Sequence, residues 1–238
     1  MRIAVDLHIH SALSPCGDDD MTPNNIVNMS VLKGLDIIAV TDHNSAENVE
    51  AVLQCAMDKD IVVIPGMEIE TREEIHVICF FPDLETVLEM QHIVYESLPA
   101  LKNREDIFGQ QLIMDSNDDI KGCVDRLLLT ATGLSIEEVY NTAQDLGGVM
   151  IPAHVDRDSY SVLSNLGMVP EHLGLKYLEI SRTCDFIKLT EKMPELKKYR
   201  FIRSSDAHAL GDIFERESFI EVNEKSIKGL LKQFREGT

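Results

Sequence analysis

The sequence predicts an α/β fold whose strands close, or nearly close, into a barrel. Three observations lead there. Short apolar runs alternate with stretches of helix length up to residue 81 and again from residue 149 onward. That is the rhythm of βα units, which build a largely parallel sheet with helices packed outside it. Seven or so such strands suit a barrel better than an open sheet, with a doubly wound sheet as the alternative. Most of the histidines, finally, fall at or beside the ends of these runs, and strand ends form the functional face of a parallel α/β fold. At 238 residues the chain is long enough for one large domain, and it reads as a single unit spanning 1–238.

Each element has its own signal. Arg2–Val5 is a strand. Thr22 then serves as N-cap and Pro23 as first residue of a helix that ends at Lys33-Gly34, where glycine suits a left-handed C′ position. Asp36–Val40 is a second strand, Ser45–Asp58 a second helix, Ile61–Ile64 a third strand and Ile75–Phe81 a fourth. From Pro82 the strand character fades. Leu84–Glu96 and Asn117–Leu129 read as helices, and Ser135 with Glu138 forms a capping box for a helix ending near Gly147-Gly148. Residues 82–145 are therefore expected to be a helical insertion or cap. The βα rhythm resumes with Val149–Ile151, Tyr177–Ile180, Phe201–Arg203 and Ser218–Val222, before an amphipathic helix near Glu224–Arg235.

Composition narrows the function classes. Residues Met1–Val5 lead directly into Asp6 and His8 without an apolar leader segment, and no run of 18 apolar residues offers a membrane span. The five cysteines, Cys16, Cys55, Cys79, Cys123 and Cys184, are odd in number and widely spaced, which fits a reducing cytoplasm rather than a disulfide framework. Asp plus Glu outnumber Lys plus Arg by 41 to 22, a net charge of −19. So acidic a chain repels a phosphate backbone. The expected partner is thus a small phosphorylated substrate, with neither long nucleic acid nor a membrane.

The chemistry lies in where the histidines fall. Six of the eight, His8, His10, His43, His76, His154 and His208, sit at or beside strand ends; His92 and His172 do not. In Asp6-Leu7-His8-Ile9-His10 the two imidazoles share a face, because strand side chains alternate with period two. Neutral imidazole is a common ligand for zinc, manganese and iron. Thr41-Asp42-His43 follows the second strand, and Pro65-Gly66-Met67-Glu68 follows the third. A carboxylate at Glu68 can bridge two cations, whereas Glu70, Glu73 and Glu74 read as ordinary solvated loop residues. Ser204-Ser205-Asp206-Ala207-His208 ends a late strand and supplies another carboxylate and imidazole. Any one position alone suits a solvated loop or a satisfied core histidine; the recurrence at strand ends does not.

The succession Asp-x-His-x-His, Thr-Asp-His, Pro-Gly-x-Glu, Ile-His, Ala-His and Ser-Asp-x-His, from Asp6 to His208, resembles the polymerase and histidinol phosphatase (PHP) family. The resemblance implies a distorted (β/α)₇ TIM-like barrel. It also implies two or three divalent metals, commonly manganese, zinc or iron, and hydrolysis of phosphoesters by a metal-bound hydroxide. Carried over by position, it makes His8, His10, His43, Glu68, His76, His154, Asp206 and His208 metal ligands, with Glu68 and Asp206 catalytic. Arg157 matches the family's phosphate-contacting position, with a surface arginine as the alternative, and Arg182 is a second, weaker substrate-binding candidate. Two departures stand out. Where the family places an Asp or His five or six residues after the second histidine, this chain has Pro15 and Cys16, followed by Gly17-Asp18-Asp19-Asp20. Asp18 is then the expected extra ligand; the alternatives are a Cys16 thiolate and an unliganded cysteine beside a weaker third site. The second departure is Val155, where the family often has proline.

The spacing of Glu68 and His76 is most similar to the family branch that acts on nucleotide bisphosphates or short oligonucleotides. Histidinol phosphate is the alternative substrate, and a metal-bound regulatory module without turnover is the alternative of another class. A metal-dependent amidohydrolase would predict a strand-end lysine as bridging ligand, and Glu68 takes that place instead.

Overall fold

The computed structural model describes residues 1–237. The first units form as expected: β1 (Arg2–Ile9), α1 (Pro23–Leu32), β2 (Ile37–Val40), α2 (Val49–Ala56) and β3 (Val62–Val63). Thr22 caps α1 by accepting from the Asn25 amide, Pro23 occupies its first turn, and Gly34 follows it at φ 72°, a conformation that costs glycine little. β1 pairs parallel to β2, and β2 parallel to β3.

The parallel pattern then breaks. β4 (Gly66–Glu70) and β5 (His76–Phe80) pair antiparallel, because the five residues between them cannot hold a crossover helix. β4 had read as a loop. Its Met67 and Ile69 enter the core while Glu68 and Glu70 take the opposite face, so the two acids that disguised the strand mark its functional side. Gly66 permits the close approach: a Cβ there would lie 2.9 Å from Thr41 and 3.1 Å from the Cys79 carbonyl oxygen.

The segment expected to be a helical insertion is mixed. It holds α3 (Leu84–Ser97), the short α4 (Glu105–Phe108), β6 (Leu112–Met114), β7 (Ile120–Cys123) and α5 (Ile136–Asp145). The helix expected at Asn117–Leu129 is absent; β6 and β7 form an antiparallel hairpin. Local hydrogen bonding explains the difference. Asp115 accepts from the amides of Asn117 and Asp119, Asp118 adopts φ 66°, and Lys121 closes on Asp115 at 2.7 Å. Such side-chain bonds give the backbone an alternative to a helix. The hairpin seats on the first βα units: Asn48 bonds the Leu112 carbonyl and the Met114 amide, and Asp118 accepts from the Asn24 amide. α5 carries the capping box read from Ser135 and Glu138.

β8 (Val149–Pro152), α6 (Val162–Leu166), β9 (Tyr177–Ile180), α7 (Phe186–Lys192), β10 (Arg200–Arg203), β11 (Phe219–Glu221) and α8 (Ile227–Glu236) complete the order. β8 pairs antiparallel to β5, β9 parallel to β10, and β11 antiparallel to β1. The strand pairing is therefore mixed rather than largely parallel, spread among the described residues over four sheets of a mixed α/β fold. Isolated bridges and one further bond pin the segments together at the strand ends. His43 bridges Glu68, Ile9 bridges Ala207, and the Val155 amide donates to the Glu179 carbonyl. Alternate residues of β1, Ile3, Val5 and Leu7, pack with the inner side chains of β2, β5 and β8 and with Leu230 and Phe234 of α8. No helix among the described residues is long and apolar enough to cross a membrane, and all five cysteines are free thiols.

Candidate metal centre

The pins between strand ends bring the predicted ligands together. Glu68 stands at the middle, 1% exposed. Its Oε1 lies 2.9 Å from His76 Nδ1, 3.3 Å from His8 Nε2 and 3.4 Å from His154 Nε2; its Oε2 lies 2.9 Å from His43 Nδ1 and 3.5 Å from His10 Nε2. Despite these contacts neither oxygen finds a donor in hydrogen-bonding geometry. The Nε2 atoms of His8 and His10 face each other at 3.2 Å, and Asp206 Oδ1 lies 3.1 Å from the latter. Three groups of ligand atoms, His8–His10–Glu68, His43–Glu68–His76 and His10–His43–His208, each lie within 4.8 Å of one another.

A buried carboxylate without hydrogen bonds is costly unless a cation shares it. Lone pairs of imidazole and carboxylate converging on common points suit zinc, manganese or iron. The donor set therefore fits divalent metals.

The electrostatics follow from this crowding. Burial alone would lower His8, but Glu179, Glu68 and Asp206 outweigh it and hold the residue well above the ordinary histidine value. Glu68 likewise raises His43 well above, and His76 above, that value against the effect of burial. His10 goes the other way, kept well below by burial and by the neighbouring His43. Burial would raise Glu68 and Asp206, yet the surrounding imidazoles hold both well below the usual carboxylate range.

A second set of side chains aims the first. The Nδ1 atom of His8 lies 3.1 Å from Glu179 Oε2, which also accepts from the His154 amide at 2.9 Å. Ser14 Oγ lies 2.9 Å from His10 Nδ1, donates to Asp42 at 2.7 Å and accepts from the His43 amide. Asp42, from the Thr-Asp-His motif, also accepts from Ser11 and is a brace rather than a ligand. Asp6 has the same character: it accepts from the amides of Ser205 and Phe214, tying β1 to the 205–214 loop, and burial pushes it up to about 6. Such outer partners fix ring orientation and tautomer. His154 and Asp206 adopt φ of 29° and 53°, strained for residues with a Cβ and sustained at functional sites by surrounding structure.

A profile of the PHP domain matches residues 6–155. The chain belongs to the PHP domain family. Among curated relatives, this PHP domain is 31% identical over 162 residues to the uncharacterized protein MJ0043 of Methanocaldococcus jannaschii, covering 68% of this chain and 17% of that protein. It is 26% identical over 243 residues to the uncharacterized protein YqxK of Bacillus subtilis, covering 89% of this chain and 56% of that one. Among solved structures, the lesion-specific endonuclease PfuEndoQ from Pyrococcus furiosus superposes with a TM-score of 0.73 at 21% identity, covering 99% of this chain and 56% of the other. The chain thus spans little more than half the length of these proteins, or less. An Endonuclease Q complex with a 27-mer duplex carrying an abasic lesion matches with a TM-score of 0.72 at 20% identity, covering 99% of this chain and 57% of that one. That complex overturns the exclusion of long nucleic acid. Net charge is a sum over the whole surface, whereas binding depends on local potential, which metal ions would reverse at this centre.

Placed against the geometry, His8, His10, His43, Glu68, His76, His154, Asp206 and His208 of this PHP domain all lie in one cluster. Arg157 is at its edge, with Nη2 2.6 Å from Asp206 Oδ2. Two expected residues are elsewhere. Asp18 turns its side chain to solvent, and only its amide approaches the cluster, donating to the His208 carbonyl. Arg182 is engaged by the Asp212 carbonyl, Glu217 and the Phe214 ring. Glu70, read as solvated, is buried 3.8 Å from His76 Nε2. Glu73 accepts from the Ile136 amide at the start of α5.

Three contributors were missed. Glu179 had a readable signal, a lone acid inside the apolar strand Tyr177–Ile180. Ser14 had none. Tyr160, whose ring stacks on His76 at 4.8 Å, also had none. Cys16 is an exposed free thiol in the same loop as Asp18. Desolvation would raise its thiol, but hydrogen bonds with His208 and His43 prevail and bring it to about 7.

Proposed function

We propose that this PHP domain is a metal-dependent phosphoester hydrolase acting on nucleotide phosphoesters. The observation that carries the reading is the convergence of five imidazoles on Glu68, whose buried oxygens have no hydrogen-bond donor, with Asp206 and His208 adjoining through His10. Divalent metals bound there supply Lewis acidity and a water acidified toward neutrality. The chain's own groups do the rest. His8, held through Nδ1 by Glu179, presents Nε2 to the centre. Asp206, kept ionised by His8 and His10, orients polar groups at the mouth. Arg157 has 43% of its side chain exposed, so its fork can exchange Asp206 for a phosphate oxygen.

Two structural readings accompany this. The ring of pinned strand ends, β1 to β2, β4, β5, β8, β9, β10 and back to β1, supports a distorted seven-stranded barrel in a single domain. The segment 82–145 reads as an insertion walling the site: Asn44, beside His43, bonds the carbonyls of Leu128 and Thr130.

The test is a stripped and reloaded protein, supplied with manganese or zinc, against nucleotide bisphosphates, short oligonucleotides, histidinol phosphate and a duplex with an abasic site. Phosphate release or strand cleavage is expected on a nucleotide substrate, falling at least about a hundredfold in Glu68→Gln, the scale on which a preorganised electrostatic group acts. A protein that binds no metal and cleaves none of these under any loading would overturn the proposal.

A further inference from the structure

Tyr160, in the loop between β8 and α6, takes φ 53°, an outlier for a bulky side chain. Glycine or asparagine would adopt that conformation at less cost. Burial does not offset the strain, because the residue is 46% exposed. Such an outlier persists where its surroundings over-determine it, most often at a functional site. Here they do. The His76 amide donates to the Tyr160 carbonyl at 2.9 Å. The Ser161 hydroxyl donates to the Arg157 carbonyl at 2.8 Å and starts α6 through a capping box with Ser164. Asn165 of α6 bonds the Glu73 and Glu74 carbonyls between β4 and β5, and Asp156 accepts from the Ser181 amide at 2.7 Å.

One face of the ring held in this way lies on His76, with centroids 4.8 Å apart and planes 26° from parallel. His76 Nδ1 is 2.9 Å from Glu68 Oε1, so a single imidazole separates the phenol ring from the middle of the metal centre. His76 is its only ring partner among the described residues, which leaves the opposite face to solvent. The same loop carries Arg157, whose Nη2 reaches Asp206 at 2.6 Å. Three residues apart, a guanidinium and an open aromatic face thus stand beside one cluster. A guanidinium fork suits a phosphate, and an aromatic face suits a base. A nucleotide offers both.

We propose that the open face of Tyr160 stacks on the nucleobase of the substrate while Arg157 meets its phosphate. The inference rests on the nucleotide phosphoesterase reading above and names the group that recognises the base. Stacking requires a base but tolerates any, because each has a π face. With the backbone already pinned, only the two side-chain torsions of Tyr160 remain to be fixed, which keeps the entropic cost of the contact low.

The experiment measures initial rates of the full chain loaded with zinc or manganese. The probes are a nucleoside 3′,5′-bisphosphate, the same bisphosphate with hydrogen in place of the base, and a trinucleotide with and without its central base. In the wild type the base is expected to lower KM at least about fivefold in one pair, the smaller end of what a stacked base contributes. Which pair shows it tells a free nucleotide from a strand. Tyr160→Asn, a residue suited to the positive φ, should erase that difference with the bound metal content unchanged, and Tyr160→Phe should keep it. Equal KM for both members of each pair in the wild type overturns the inference without recourse to any variant. So does a difference that survives Tyr160→Asn, or a loss that falls equally on base-bearing and base-free probes, which would make the ring a support for His76. In each of these cases turnover by the wild type leaves the phosphoesterase reading intact. No turnover of any probe with either metal overturns both.

Discussion

Glu179 shows how much a residue that ligates nothing contributes. Its carboxylate accepts from His8 Nδ1 and from the His154 amide, which leaves His8 Nε2 bare toward Glu68. Glu179→Gln would keep the shape but set an amide N–H against His8 Nδ1, driving the ring proton onto Nε2, where it blocks ligation. Metal affinity is expected to fall about 10–100-fold, the range for outer-shell partners, with an unchanged far-ultraviolet circular dichroism spectrum. Zinc titration against a chromophoric chelator checks it, and wild-type affinity in the variant would show that Glu179 only fills space. The single-residue signals were legible to different depths. Histidines and Glu68 were readable because ligand chemistry restricts residue type. Ser14 was not, because a serine four residues beyond a histidine becomes an orienting group only once the 11–17 turn is folded.

At the scale of elements, the α5–β8 junction starts the strand that leads to His154. Gly147 adopts φ 69°, the left-handed stop that the sequence announces. Gly148 is needed for another reason: a Cβ there would lie 2.6 Å from the Phe80 carbonyl and 3.0 Å from that of Ala143. Gly147→Ala should cost about 1 kcal/mol through its dihedral, while Gly148→Ala should cost about 1–3 kcal/mol by overpacking against backbone that cannot yield. Urea melts of the two variants separate the cases; equal losses would contradict the close-packing argument. Capped helices such as α1 and α5 were legible because their signals lie within one turn. β4 and the β6–β7 hairpin were not. The first hides its period behind glutamates that face the centre, and the second depends on Asp115, Asp118 and contacts with α1 and α2.

For the whole molecule, the centre couples metal, protons and stability. In the metal-free protein His8, His43 and His76 titrate above the ordinary histidine value. Their stabilising contribution is therefore complete below the unfolded value and is lost as pH rises through the folded one. Metal binding has the opposite sign, because each imidazole must shed its proton before it ligates. The difference in Tm between loaded and stripped protein should widen from about pH 6 to about pH 8, either side of the ordinary histidine pKa of about 6.5. A metal present at a hundred times its Kd adds about 2.7 kcal/mol per site. Calorimetry with and without chelator at the two pH values checks this, and a difference that narrows with rising pH would contradict it.

By itself the sequence determined which residue types could gather at the candidate centre, the family and most of the regular elements. Each is written in residue type or in short-range period, and neither needs a partner distant in the chain. The tertiary structure decided the antiparallel turn of β4 and β5, the mixed character of residues 82–145, and the bracing by Glu179 and Ser14. All of these depend on which strand ends meet. His8 and Glu179 are 171 residues apart, and no local pattern records a contact that forms only when the strand ends are pinned together.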